Sequence, residues 1–165
     1  MIVHLTAEDF MVATTKAAVR QLMAIKKKRI GSDHGGSSKR KLGQRLSDSI
    51  IGALGEIAVS RAMGLQVTSE FENMGAADIG GSVEVRTTEL ENGCLLLHRT
   101  SPDHRIYVLV TIKELQAKVV GWLHARDGKQ PNYWRDGDPG CFFCPQESLK
   151  RFENLMSHLG NEPRH

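Results

Sequence analysis

Phe10, Ala13, Ala17, Leu22 and Ile25 recur at roughly helical spacing, and Thr6 stands three residues before Asp9 as in a capping box. A first helix is therefore expected from about 7 to 28. The run IIGALGEIAVSRAM predicts a second, entered at Ser47 or Asp48 and closed by Gly64, where a left-handed residue is wanted. This segment is apolar on nearly every side, so it should lie deep. Gly52 and Gly55 within it either permit close approach to a sheet or are tolerated at roughly 1 kcal/mol each. Short β-like runs follow at 65–68, 76–79, 82–88, 94–98, 106–112 and 119–124, and suggest one mixed sheet. Residues 126–140, rich in Gly, Pro, Asp and Asn, are expected to form a long surface loop. Pro145 suits a first helical turn, and Leu149, Phe152, Leu155, Met156 and Leu159 then predict an amphipathic last helix. With no repeat and no heptads, the order implies one α/β (α+β) domain over 1–165, a mixed sheet of four to six strands flanked by helices.

Composition narrows this. A chain of 165 residues, 40% hydrophobic and 25% charged, can bury a real core. Its apolar runs are far too short to span a membrane, and the N-terminus carries no secretory pattern, so a soluble cytoplasmic protein is expected. Three cysteines, Cys94, Cys141 and Cys144, make no disulfide framework and fit a reducing compartment. The net charge of +3 is unevenly placed: Lys26, Lys27, Lys28, Arg29, Lys39, Arg40, Lys41 and Arg45 face a single acid, Asp33. Residues 30–45, with glycine and serine at their centre, are expected to form a mobile basic loop that contacts DNA phosphates; a merely solvated surface is the alternative.

The segment with most chemistry is Asp78-Ile-Gly-Gly-Ser-Val-Glu84-Val-Arg86. Hydrolysis of a phosphodiester needs a nucleophilic water and neutralisation of phosphate charge, which Mg²⁺ supplies from a site of one or two carboxylates. Hairpin register decides whether these acids meet. A two-residue Gly80-Gly81 loop pairs Asp78 with Val83 and sends Asp78 and Glu84 to opposite faces. A three-residue loop, Gly80 to Ser82 with one left-handed glycine, pairs Asp78 with Glu84 at about 5 Å between Cβ atoms. The three-residue loop is predicted, with Glu84, Arg86 and Thr88 on the site face and Val83, Val85 and Thr87 mostly toward the core.

The helix Gly52-Ala-Leu-Gly-Glu56, then Asp78, then Glu84-Val85-Arg86 resembles the PD-(D/E)xK nuclease superfamily, over about residues 47–125. That family has a central four-stranded mixed sheet flanked by helices, an acid on a core helix, an Asp at one strand and Glu-x-Lys on the next. The resemblance implies a restriction-endonuclease-like core and a deoxyribonuclease dependent on Mg²⁺ or Mn²⁺. Asp78, Glu84 and the Val85 carbonyl would hold metal, and Glu56 a second metal or water. GALGE together with Val85-Arg-Thr-Thr88 is also similar to phage proteins, implying a bacteriophage source. The departure is Arg86 in the lysine position: arginine cannot act as a base, though its fork can stabilise phosphate charge. DNA, duplex or branched, is the implied partner, and a homodimer is an arrangement suited to cutting both strands. A catalytically inactive DNA-binding module and a protein-interaction domain acting on a host complex are the alternatives.

Each candidate has a plainer reading. Glu56 shares a polar gap with Ser49, Ala53 and Ser60, which suits a solvent-facing side chain; Asp78 suits a turn, and Glu84 and Arg86 a solvated strand face. Cys141 and Cys144 with Cys94 and His98 invite zinc, but Cys94 and His98 lie about 13 Å apart along a strand, so the cysteines read better as small hydrophobes. His98 and His104, flanking the turn SPDH, are left outside the catalytic set. Tyr133, Trp134 and Arg135 suit either stacking on an unpaired base or anchoring of their loop.

Overall fold

A computed structural model describes residues 1–26, 41–65, 78–79, 81–137 and 140–161. A short strand, β1 (Ile2–His4), which sequence periodicity misses, leads into α1 (Ala7–Lys26). The Thr6–Asp9 capping box forms: the Thr6 N–H and hydroxyl donate to Asp9 Oδ2 at 2.7 and 3.0 Å, and the Asp9 N–H donates to Thr6 Oγ1 at 3.2 Å. Helix α2 (Leu42–Ala62) begins before Ser47 and Asp48, contrary to expectation. Gln44, in the first turn, takes the Lys41 N–H on its Oε1 at 3.2 Å and serves the helix entrance instead. Gly64, at φ +68°, ends the helix as predicted.

The main sheet is mixed and five-stranded. Strand β2 (Val83–Thr88) runs parallel to β4 (Ile106–Lys113), which forms a hairpin with β5 (Gln116–His124); β1 lies antiparallel on the far side of β5. β2 is therefore an edge strand. Ile106 through Ile112 are all buried because both faces of β4 are covered, one by the helices and one by a second sheet.

That second sheet corrects the expectation of a single one. The run at 94–98 yields β3 (Leu95–Leu97), which pairs not with the main sheet but with β7 (Cys141–Cys144), itself paired with β6 (Trp134–Arg135). Leu95 and Leu97 share one face and bury it against Tyr107, Leu109 and Leu123 of the main sheet. The expected loop at 126–140 is likewise partly ordered, by α3 (Ala125–Gly128), a 3-10 turn at Pro131–Tyr133 and β6.

The last helix is shorter than the apolar spacing implies. Pro145 opens a 3-10 turn, Lys150–Arg151 becomes β8 against β5, and α4 (Leu155–Asn161) starts only afterwards. Gly121 permits this: a Cβ there would stand 2.6 Å from the Lys150 carbonyl oxygen, so the chain docks as a strand where a helix was expected. Phe152 and Leu155 still reach the core.

Candidate active site at the edge of strand β2

The hairpin register can be read directly. Ile79 and Val83 exchange both backbone hydrogen bonds, at 3.0 and 3.1 Å, which is the pairing of the three-residue Gly80–Ser82 loop. Gly81 takes the left-handed conformation at φ +79°. Asp78 thus stands one position before the pair, opposite Glu84. Its Oδ2 accepts the Val85 N–H at 2.7 Å, fixing the carboxylate to the strand.

Backbone direction places one more oxygen. The Ser82 carbonyl accepts from the Ile106 N–H, toward β4, whereas Val83 bonds to Ile79 on the outer side. Amide directions alternate along a strand, and the N–H and C=O of one residue leave on the same side. The Val85 carbonyl therefore points to the outer edge, beside Asp78.

Side-chain alternation divides the acids between the two faces. Val83 and Val85 pack among Leu54, Ile57 and Ala58 of α2, so Glu84 and Arg86 take the opposite face, where the Arg86 guanidinium lies 5.3 Å from the Tyr107 ring centroid. Helix α2 approaches through Gly55: a Cβ there would fall 1.9 Å from Thr87 Oγ1, so only glycine fits. Gly52 has open space around it and no such role. The close crossing brings Glu56 to the helix side of the same edge. Glu56, Asp78 and Glu84 thus straddle β2, with Asp78 in the middle.

Each glutamate has its own cations. Glu56 is only 6% exposed, which overturns the solvent-facing reading. Arg20 of α1 grips both its oxygens, at 2.7 and 2.9 Å, and Lys16 adds a third contact at 2.7 Å. Burial pushes the Glu56 carboxyl up, but Arg20 and Lys16 outweigh it and hold the group below its ordinary range. Glu84 takes a hydrogen bond from Arg105 on Oε1, and Arg86 lies 3.7 Å from Oε2. Asp78 is pushed up to about 6, by burial first and then by the negative charge of Glu56; Glu84 adds to the rise, and the Val85 N–H and Arg86 oppose it.

Lys16, Arg20 and Arg105 were not singled out from the sequence. Lys16 and Arg20 are one turn apart beside the buried Ala13 and Ala17, a stripe of small residues that marks the packed face of α1. The larger Phe10, Leu22 and Ile25 are exposed instead. The SPDH turn does reach the site, through the Arg105 that follows it. His104 is exposed, with its carbonyl accepting from His124 Nδ1–H, and His98 meets Ser101 Oγ through its backbone.

Among the described residues, no three His, Cys, Asp or Glu side chains gather closely enough to hold a metal ion. Asp78, Glu84 and the outward Val85 carbonyl are hard oxygen donors of the type Mg²⁺ accepts, two carboxylates being an ordinary protein contribution. Asp78 is raised by burial first and by the two glutamates after it, and a divalent cation would favour its charged form, so the donor set fits the ion in chemistry.

Of the basic candidates, Lys26 and Lys41 are exposed and Arg45 is half-buried; Lys27, Lys28, Arg29, Lys39 and Arg40, like most of the expected 30–45 loop, lie outside the described residues. The expected strand at 65–68 falls mostly there as well. Cys144 is buried with its Sγ 3.2 Å from the Gly128 carbonyl, and burial with neighbouring Cys94 pushes its thiol up to about 12. Trp134 Nε1 donates to Asp136, its ring meets Phe142 edge-on, and the Arg99 guanidinium lies 4.1 Å from its centroid, contacts that tie its loop to the second sheet.

Comparison with protein families, with curated proteins and with solved structures found no match. No helix among the described residues is long and apolar enough to cross a membrane.

Proposed function

We propose that the protein is a metal-dependent nuclease that hydrolyses DNA phosphodiesters at the edge of β2. One observation carries the reading: the three-residue register sets Asp78 opposite Glu84 with the Val85 carbonyl beside them, where burial and then the charge of Glu56 raise Asp78 to about 6. Asp78, Glu84 and Val85 would hold Mg²⁺ or Mn²⁺, which supplies charge neutralisation and an activated water. Glu56 orients charge from the helix side. Arg86, permanently protonated, steadies the negative charge that develops on the phosphate and takes no part as a base. Lys26, Lys41 and Arg45, with the basic residues between them in sequence, supply salt-sensitive phosphate attraction.

A specific observation also favours an inactive DNA-binding module: Glu84 and Glu56 are both already neutralised by side-chain cations. The readings part in one experiment. Plasmid, single-stranded and branched DNA are incubated with wild type and Asp78→Ala in Mg²⁺ or Mn²⁺. Cleavage by wild type, reduced by about two orders of magnitude or more in the variant, is expected if the acids hold the catalytic ion. Equal inertness with a salt-dependent gel shift would select the binding module, and no shift at low salt would remove DNA as the partner.

A further inference from the structure

We propose that the outer face of α1 is an interface on which a second copy of this chain packs, antiparallel, about a two-fold axis at Ala18. The inference goes beyond the nuclease reading and does not depend on it.

A helix on the surface of a domain ordinarily turns its apolar side inward and its charges to water. In α1 the order is reversed. Its buried positions are Asp9, Ala13 and Ala17, and Lys16 and Arg20 are drawn to Glu56. The exposed positions between Glu8 and Lys26 are Phe10, Met11, Thr15, Ala18, Leu22 and Ile25, all uncharged. Met11 is 68% exposed, Leu22 58% and Ile25 42%. From Met11 through Thr15, Ala18 and Leu22 to Ile25 the steps alternate four and three residues, the spacing that keeps side chains on one seam of a helix pair. The Thr15 hydroxyl donates to the Met11 carbonyl at 3.0 Å, so its proton is already used within the helix and the seam presents little unmet polarity.

The placement of charge selects a second copy as the occupant. On α1 the exposed charges stand at the two ends, Glu8 in the first turn and Lys26 in the last. A two-fold axis at Ala18 sets Met11 of one copy level with Ile25 of the other, and brings Glu8 of each copy within reach of Lys26 of the other. A parallel pair would instead set Glu8 on Glu8 and Lys26 on Lys26. The small Ala18 lets the two axes approach at the centre, and opposed helix dipoles add to the attraction. One helix pair is a small interface, so association in roughly the micromolar range is expected.

Sedimentation velocity of the full chain, without DNA or metal and at low salt, tests this from about 1 to about 200 µM. Wild type should pass from monomer to dimer across that range. Leu22→Glu places a charge on the seam of both copies and should stay monomeric throughout, weakening the dimer by about a hundredfold or more. Glu8→Lys and Lys26→Glu lie outside the core at exposed helix ends; each alone should weaken the dimer about tenfold, because two attractive pairs become repulsive. An equimolar mixture of these two variants should regain close to wild-type affinity, since only the mixed pair matches opposite charges at both ends. Circular dichroism checks that each variant is folded. A wild type that is monomeric at every concentration overturns the proposal and leaves the face to a different partner. A dimer that survives Leu22→Glu places the interface elsewhere and overturns it equally. Single charge variants that dimerise like wild type, or a mixture no tighter than either variant alone, overturn the antiparallel pair.

Discussion

Glu56 and Glu84 stand on opposite faces of one edge strand, each against arginine, yet their surroundings differ in kind. Glu56 is locked between two helices by a fork from Arg20 and a point contact from Lys16. Glu84 faces the second sheet with Arg86 on its own strand and Arg105 ahead of the next. The first arrangement joins α1 to α2 through charge, because Ala13 and Ala17 keep their contact free of large apolar groups. Asp9 and Arg61 form a second such link at 2.8 Å. The second arrangement leaves its carboxylate slightly more exposed, 13% of the side chain against 8% for Glu56.

The sharpest way to break the comparison is to delete each glutamate in turn. Glu56→Ala strands a mostly buried ammonium and a guanidinium, and should destabilise the fold by about 3 kcal/mol. Glu84→Ala leaves Arg86 beside the Tyr107 ring and should cost less than Glu56→Ala by about 1 kcal/mol, while abolishing cleavage. Urea unfolding followed by Trp fluorescence measures both. Equal losses would erase the distinction between the two acids.

Next in size is the crossing that carries Glu56 to the edge. Gly55→Ala puts a methyl into the Thr87 hydroxyl and should cost about 2 kcal/mol. Thr87 Oγ1 is buried without a hydrogen-bond partner among the described residues, so trimming it removes little that is favourable. The double variant Gly55→Ala, Thr87→Ala should therefore recover much of the loss, a coupling that a double-mutant cycle measures. Additive costs would mean that Gly55 is needed for some reason other than space.

Local signals made the centre of this molecule legible and left its periphery obscure. The hairpin register followed from Gly80, Gly81 and Ser82, because loop length and a left-handed glycine fix which residues oppose each other. The mixed sheet flanked by helices followed from β4, β5 and the deep helix α2. The second sheet did not, because Leu95 and Leu97 form a strand in either arrangement and only long-range cover for Tyr107 and Leu109 decides its partner. Likewise, Phe10, Leu22 and Ile25 outranked Ala13 and Ala17 in hydrophobicity, although close helix contact selects the alanines. Lys16, Arg20 and Arg105 came to the acids from 40, 36 and 21 residues away, where no spacing rule reaches.

Asp78, between the two glutamates, gives the smallest effect and reports its burial together with their charge. Its carboxyl is raised from an ordinary 3.8 to about 6, so the native state binds its proton more tightly than the unfolded chain does. Its contribution to stability must therefore decline as pH rises between these values and remain unfavourable above them. Replacing it by asparagine removes the charge while keeping an oxygen for the Val85 N–H. Asp78→Asn should gain stability relative to wild type by about 1 kcal/mol more at about pH 8 than at about pH 5. Nuclease activity should move the other way, falling at acid pH as the carboxylate that would hold the ion is neutralised, and doing so below about 6 because a bound cation favours the charged form. Parallel unfolding and cleavage measurements across that window test both signs. A stability difference independent of pH would show that Asp78 keeps an ordinary carboxyl, raised neither by burial nor by Glu56 and Glu84.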